Sequence, residues 1–151
     1  MRPNLFIVGD PIERLWSSVK FESRNVDLSF DEKLEYLHCR FREASLNPDD
    51  LLNRKSRYER TITELEVSVP KEAIQYLFYE DIFYRQELGT LFDFLDLDPI
   101  TLNFSQKINE GSKSLSKPSS WDWANAIDSF SPTYEALRVK FLDRIPTEWH
   151  S

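Results

Sequence analysis

The sequence predicts an α/β fold: a few-stranded parallel sheet with a mostly helical remainder, in a single domain over residues 1–151. Three observations carry this. Leu5-Phe6-Ile7-Val8 and Ile74 to Tyr79 are short apolar runs that alternate less than a solvent-facing strand should, which is the pattern of buried parallel strands. Long stretches of helical periodicity separate the two runs, as crossover connections between parallel strands require. Aromatic residues make up 14% of the chain and only three glycines occur, a composition for a packed, helix-rich core rather than a disordered segment.

The elements follow in order. Gly9 breaks the first run, Asp10 is placed to cap a helix, Pro11 fits its first position and Glu13 its third. Ile12, Leu15, Trp16 and Val19 supply that helix's apolar stripe. Ser29 caps a second helix, with Asp31 and Glu32 in its first turn and Phe30, Leu34, Leu37 and Phe41 along one side. Asn47-Pro48-Asp49-Asp50 reads as a turn and a new start. One helix is then expected from about Leu51 to Val67, with Tyr58, Ile62 and Leu65 facing the core, ended by Pro70. Glu80-Asp81 stops the second strand, and a helix is expected over about Arg85 to Leu97. Residues 103–120 read as a polar, serine-rich loop. Trp121, Trp123 and Phe130 return to packed structure, and Ser131-Pro132 starts the last helix through Tyr134, Leu137 and Phe141. Two parallel strands alone leave outer edges unpaired, so a dimer or a partner chain covering an exposed sheet edge is expected.

Charge and cysteine content narrow the function. A net charge of −7 opposes nucleic acid and anionic membranes at long range. The first apolar run is too short for a signal or membrane helix. Cys39, the single cysteine, excludes an internal disulfide and a multi-cysteine zinc site, and with His38 and His150 the only histidines, no metal is expected. A reduced, cytoplasmic setting is the simplest reading. His38-Cys39 suggests no nucleophile pair, since adjacent helical residues point apart.

The stretch Phe6-Ile7-Val8-Gly9-Asp10-Pro11-Ile12-Glu13-Arg14-Leu15-Trp16-Ser17 resembles the 3′-phosphate-binding motif of sulfotransferases that use 3′-phosphoadenosine 5′-phosphosulfate (PAPS). In that family a strand ends in Arg-Asp-Pro and a helix follows with Arg and then Ser. Here Asp10-Pro11, Arg14 and Ser17 match, and Gly9 stands at the leading Arg. Ser56-Arg57-Tyr58, Tyr76-Leu77-Phe78-Tyr79-Glu80-Asp81, Leu91 to Leu97, and Ile145-Pro146-Thr147-Glu148-Trp149 are similar to later elements of the family in the same order. Asn109 and Lys113 fall where the family has a loop over the nucleotide.

The resemblance implies a partial P-loop-like sulfotransferase fold, PAPS as co-substrate, and an acceptor hydroxyl or amine on a carbohydrate or small molecule. It places Arg14, Ser17 and Lys113 on the 3′-phosphate side. The family's 5′-phosphosulfate loop, Gly-rich with a Lys or Arg, has no counterpart in the sequence, and no catalytic base can be named. The chain is accordingly expected to represent the C-terminal portion of such a domain, N-terminally truncated, as an enzyme fragment or as a non-catalytic interaction module. A strand feeding a helix N-terminus is a natural anion site. The same residues also read as an ordinary capped helix, with Arg14 pairing Asp10, Tyr58 packing in the core and Glu80 serving the scaffold.

Overall fold

The computed structural model describes residues 2–105 and 115–149. Its elements run β1 (Asn4–Val8), α1 (Pro11–Glu22), α2 (Phe30–Leu46), α3 (Leu51–Ser56), α4 (Tyr58–Ser68), β2 (Ile74–Phe78), α5 (Tyr79–Phe83), α6 (Gly89–Leu95), α7 (Ser120–Ser129) and α8 (Ser131–Phe141). The two strands pair in parallel, Asn4 opposite Ile74 and Val8 opposite Phe78. The chain is therefore mostly helical around a two-stranded parallel sheet, within the α/β class expected.

Local chemistry places the starts. Asp10 caps α1 through its carboxylate, and Pro11 occupies the first turn, where a missing N–H costs nothing. Ser29 precedes α2, and its backbone N–H donates to the Glu32 carboxylate at 3.1 Å, one half of a capping box. Asp50 caps α3 by accepting from the Leu52 N–H, and Ser119 caps α7 by accepting from the Asp122 N–H.

The single helix expected over Leu51–Val67 is two helices. Arg57 leaves the helical region at φ −85°, ψ 82°. The break accompanies two donors, one buried and one half-buried, that reach carbonyls other helices leave open. Asn53 Nδ2 donates to the Ala44 and Ser45 carbonyls ending α2, and Arg57 donates to the Ser129 carbonyl ending α7. The Arg57 guanidinium also lies over the Phe130 ring.

The helix expected over Arg85–Leu97 is likewise shorter and begins at Gly89. The chain turns into α5 directly from β2, and Gln86 adopts a left-handed conformation at φ 57°. The Tyr84 and Arg85 amides fold back onto the Glu80 carbonyl, and the Arg85 side chain bridges Asp81 and Glu148.

The helices converge on one face of the sheet. Val8 and Phe78 are buried there with Ile12, Leu15, Trp16, Phe41, Phe130 and Leu137. The opposite face is half covered: Leu77 joins a small cluster with Ile82, Leu88 and Phe92, while Leu5 and Ile7 stay 44% and 45% exposed. The apolar run of β1 predicts burial on both faces, and only one is buried. Among the described residues no helix is long and apolar enough to cross a membrane.

Candidate functional site

A cavity of about 620 Å³ opens beside α1, within the range of small-molecule sites. The turn between β1 and α1 forms one end. Gly9, Asp10, Glu13, Arg14, Ser17 and Lys20 border it in succession along that turn and helix. Tyr58 from the start of α4, Tyr79 and Glu80 from α5, and Trp149 from the chain's end complete the walls. Two of the three residues expected on the phosphate side, Arg14 and Ser17, thus lie in one cavity. Lys113, and Asn109 with it, lie outside the described residues.

The strand-turn-helix geometry around Gly9 is as expected. The free amides are not. The Gly9 N–H donates to the Tyr58 hydroxyl at 3.2 Å, the Ile12 and Glu13 amides donate to Asp10 Oδ1 at 2.9 and 3.3 Å, and the Arg14 amide donates to the Asp10 carbonyl. The helix's own cap consumes the donors that an anion would use, so any anion here is held by side chains. Arg14 does not pair with Asp10. Its guanidinium lies over the Tyr58 ring, 5.0 Å from the centroid. Ser17 is exposed one turn farther along the cavity wall.

Gly9 itself is open to substitution. Its φ lies outside the left-handed region, and a Cβ there would meet Tyr79 Cβ at 3.5 Å and Tyr58 Oη at 3.8 Å, both ordinary contacts. Neither backbone conformation nor crowding demands glycine.

The floor is acidic. Asp10 is 4% exposed; its Oδ1 also accepts the Tyr134 hydroxyl at 2.6 Å. Glu80, 6% exposed, accepts the Trp149 indole N–H at 2.9 Å. Burial, opposed by backbone and indole hydrogen bonds to Glu80 and aided by the Asp10 charge, holds the Glu80 carboxyl above the usual carboxylate range. Burial and the Asp10 charge likewise push the Tyr134 hydroxyl far up. At the rim, Lys117 pairs with Glu13 and lies over the Trp123 ring.

Sequence reasoning missed Lys20, Glu148 and Trp149 as parts of this cavity. Trp149 is 69 residues from its partner Glu80, and no local pattern announces such a bond. Of the two tryptophans expected to return to packed structure, Trp121 is 68% exposed and Trp123 stacks on Phe41. His38 packs against Trp16 and Cys39 is exposed, forming no nucleophile pair. Among the described residues, no group of three or more His, Cys, Asp or Glu is placed to hold a metal ion. Comparison of the chain with protein-family models, curated proteins and solved structures finds no significant match in any of the three.

Proposed function

We propose that this chain is a sulfotransferase-like domain whose cavity receives the adenosine 3′,5′-bisphosphate portion of PAPS, with a hydroxyl or amine of a carbohydrate or small molecule as acceptor. The observation that carries the reading is the convergence of Arg14 and Ser17 on one cavity, directly after a strand, Gly9 turn and Asp10-capped helix. Arg14 offers a guanidinium for bidentate contact with a phosphate, Ser17 a hydroxyl donor one turn on, and Lys20 a further cation on the same side. Tyr79 and Tyr84, both exposed at the cavity, supply aromatic surface of the kind that packs against a base.

Sulfuryl transfer resembles phosphoryl transfer in depending on positioning and on stabilising charge at the moving group. The reading gives these residues the positioning of the nucleotide and assigns no residue of the chain to the transfer step. Lys113, by its place in the sequence, is a further candidate for the phosphate.

A second reading rests on the uncovered half of the sheet. Leu5 and Ile7 face outward from β1, which suits a non-catalytic module whose open sheet face is covered by a second copy or a partner chain.

Isothermal titration calorimetry with adenosine 3′,5′-bisphosphate tests the first reading. The wild-type chain is expected to bind weakly and Arg14→Ala to bind about tenfold less tightly. Gly9→Arg is expected to bind about tenfold more tightly, since its Cβ meets only ordinary contacts and its guanidinium adds a cation beside Arg14. Absence of binding by both the wild-type and Gly9→Arg chains at millimolar nucleotide would refute it.

A further inference from the structure

The two strands of the sheet present unlike edges. β1 pairs with β2 along its length, and among the described residues no further strand joins either of them. On β2 the Tyr76 carbonyl is taken by side chains, Arg144 Nη2 at 3.0 Å and Gln75 Nε2 at 3.2 Å. Among the described residues β1 has no such cover. Its residues, Asn4 to Val8, carry no charge and include neither proline nor glycine, and Leu5 and Ile7 stay exposed. An edge of this kind is a template for another strand, since charges, proline or bulges ordinarily blunt it.

The open stretch is bounded at both ends. Pro3 has no N–H to donate, and the Gly9 N–H is spent on the Tyr58 hydroxyl at 3.2 Å. The usable edge is therefore residues 4–8, centred on Phe6. Opposite residues of an antiparallel pair share a face, so the outward Leu5 can meet only another outward residue. A two-fold axis at Phe6 meets that condition with a second copy. It sets Leu5 opposite the partner's Ile7, Asn4 opposite the partner's Val8 and Pro3 opposite the partner's Gly9. The pairing is self-complementary, apolar against apolar on the open face.

Charge favours the same arrangement. Each chain carries −7, so two copies repel as wholes, and only an uncharged strip lets their backbones approach. The antiparallel axis turns the exposed Arg2 toward the end of the partner's strand, where the Asp10 and Glu13 carboxylates lie. A parallel pairing would instead put Arg2 beside the partner's Arg2, and it would not close on two copies.

We infer that β1 pairs antiparallel with the β1 of a second copy about a two-fold axis at Phe6, giving one four-stranded sheet in the order β2-β1-β1-β2. This deepens the second reading above by naming a second copy as the partner, and it is independent of the nucleotide reading. One short strand and two apolar side chains from each copy fall below the roughly 800 Å² per partner of a standard interface, so association is expected near about 0.1 mM.

Sedimentation velocity between about 10 µM and 1 mM follows the oligomeric state, and hydrogen exchange by NMR at the two extremes follows the edge. The wild-type chain is expected to pass from monomer to dimer. Edge amides of residues 4–8 are expected to exchange roughly fourfold more slowly at the higher concentration, as the monomer fraction falls, while α2 amides keep their rates. Disulfides test the register in a Cys39→Ser background, because Cys39 is exposed. A mixture of Leu5→Cys and Ile7→Cys chains is expected to cross-link several-fold faster than either alone, since opposite Cβ atoms lie about 5 Å apart and diagonal ones about 7–8 Å.

The inference is overturned if the wild-type chain stays monomeric at millimolar concentration, if it dimerises while the β1 amides exchange equally at both concentrations, or if the mixture cross-links no faster than the single chains. The first of these results leaves the second reading to a different partner chain, and none of them bears on nucleotide binding.

Discussion

Trp149→Phe isolates one hydrogen bond at the floor of the cavity. The indole N–H donates to Glu80 Oε1 at 2.9 Å, and both residues are buried. Phenylalanine retains a ring for the edge contacts with Phe78 and Tyr134 but has no donor. Glu80 Oε2 already lacks a partner among the described residues, so the variant leaves the whole carboxylate without a side-chain donor. A hydrogen bond to a charged acceptor contributes roughly 1.5–3 kcal/mol, and the lost half of the indole adds a small void, for a total of about 2–4 kcal/mol. For a domain of this size that lowers Tm by about 5–12 °C.

The pH dependence sharpens the test. Because the folded Glu80 carboxyl titrates above its unfolded value, its stabilising protonated form is fully present below the unfolded pKa, and that contribution is lost as pH rises through the folded one. Removing the indole donor raises the folded value further. The indole bond favours the ionised carboxyl, so the penalty of Trp149→Phe grows with pH and is larger at about pH 8 than at about pH 5. Urea denaturation at both pH values measures it. A loss below about 0.5 kcal/mol, or one equal at the two pH values, would show that the indole bond does not support a buried carboxylate.

Three further outcomes follow from the packing. Leu142 sits at φ 51°, ψ −120°, a glycine conformation, and is 72% exposed; Leu142→Gly is expected to gain about 1 kcal/mol in urea denaturation, strain relief outweighing the added unfolded-state entropy. Asn53→Ala removes the donor to the Ala44 and Ser45 carbonyls and the acceptor for Arg57, and is expected to cost about 2–4 kcal/mol by the same assay. Ile7→Lys puts a charge on the open face of β1 and is expected to reduce concentration-dependent association in sedimentation velocity; equal association in both chains would exclude that face as the contact.

What the sequence made legible is local. Asp10-Pro11, Ser29 with Glu32, and Asp50 each announce a helix start because the cap bonds amides two or three residues away. The two strands were legible from their apolar runs. The break at Arg57 was not, because its cause lies in carbonyls of two other helices, and the interval from Leu51 to Val67 holds no proline or glycine. The site divides the same way. Arg14 and Ser17 share a helix face with the cap, so spacing alone brings them together. Glu80 and Trp149 meet through the fold, with nothing in either neighbourhood to mark the pair. The β1 run misled in one respect: a four-residue apolar stretch signals burial on both faces, whereas the described residues cover only the Phe6 and Val8 side.

Gly9 is where these lines meet. A glycine is expected where the chain needs a positive φ or a close approach, and position 9 has neither. Its consequence is therefore chemical: position 9 borders the cavity directly before the stripe of Arg14, Ser17 and Lys20 and carries no side chain into it. A guanidinium introduced there by Gly9→Arg adds a second cation on the Arg14 side, and a phosphate gains from two converging guanidinium groups where the helix amides are already consumed by the cap. Measuring nucleotide affinity and ligand-free Tm on that one variant separates phosphate binding from packing: a gain in affinity at unchanged Tm assigns the position to the nucleotide, and a change in Tm without a gain in affinity assigns it to the scaffold.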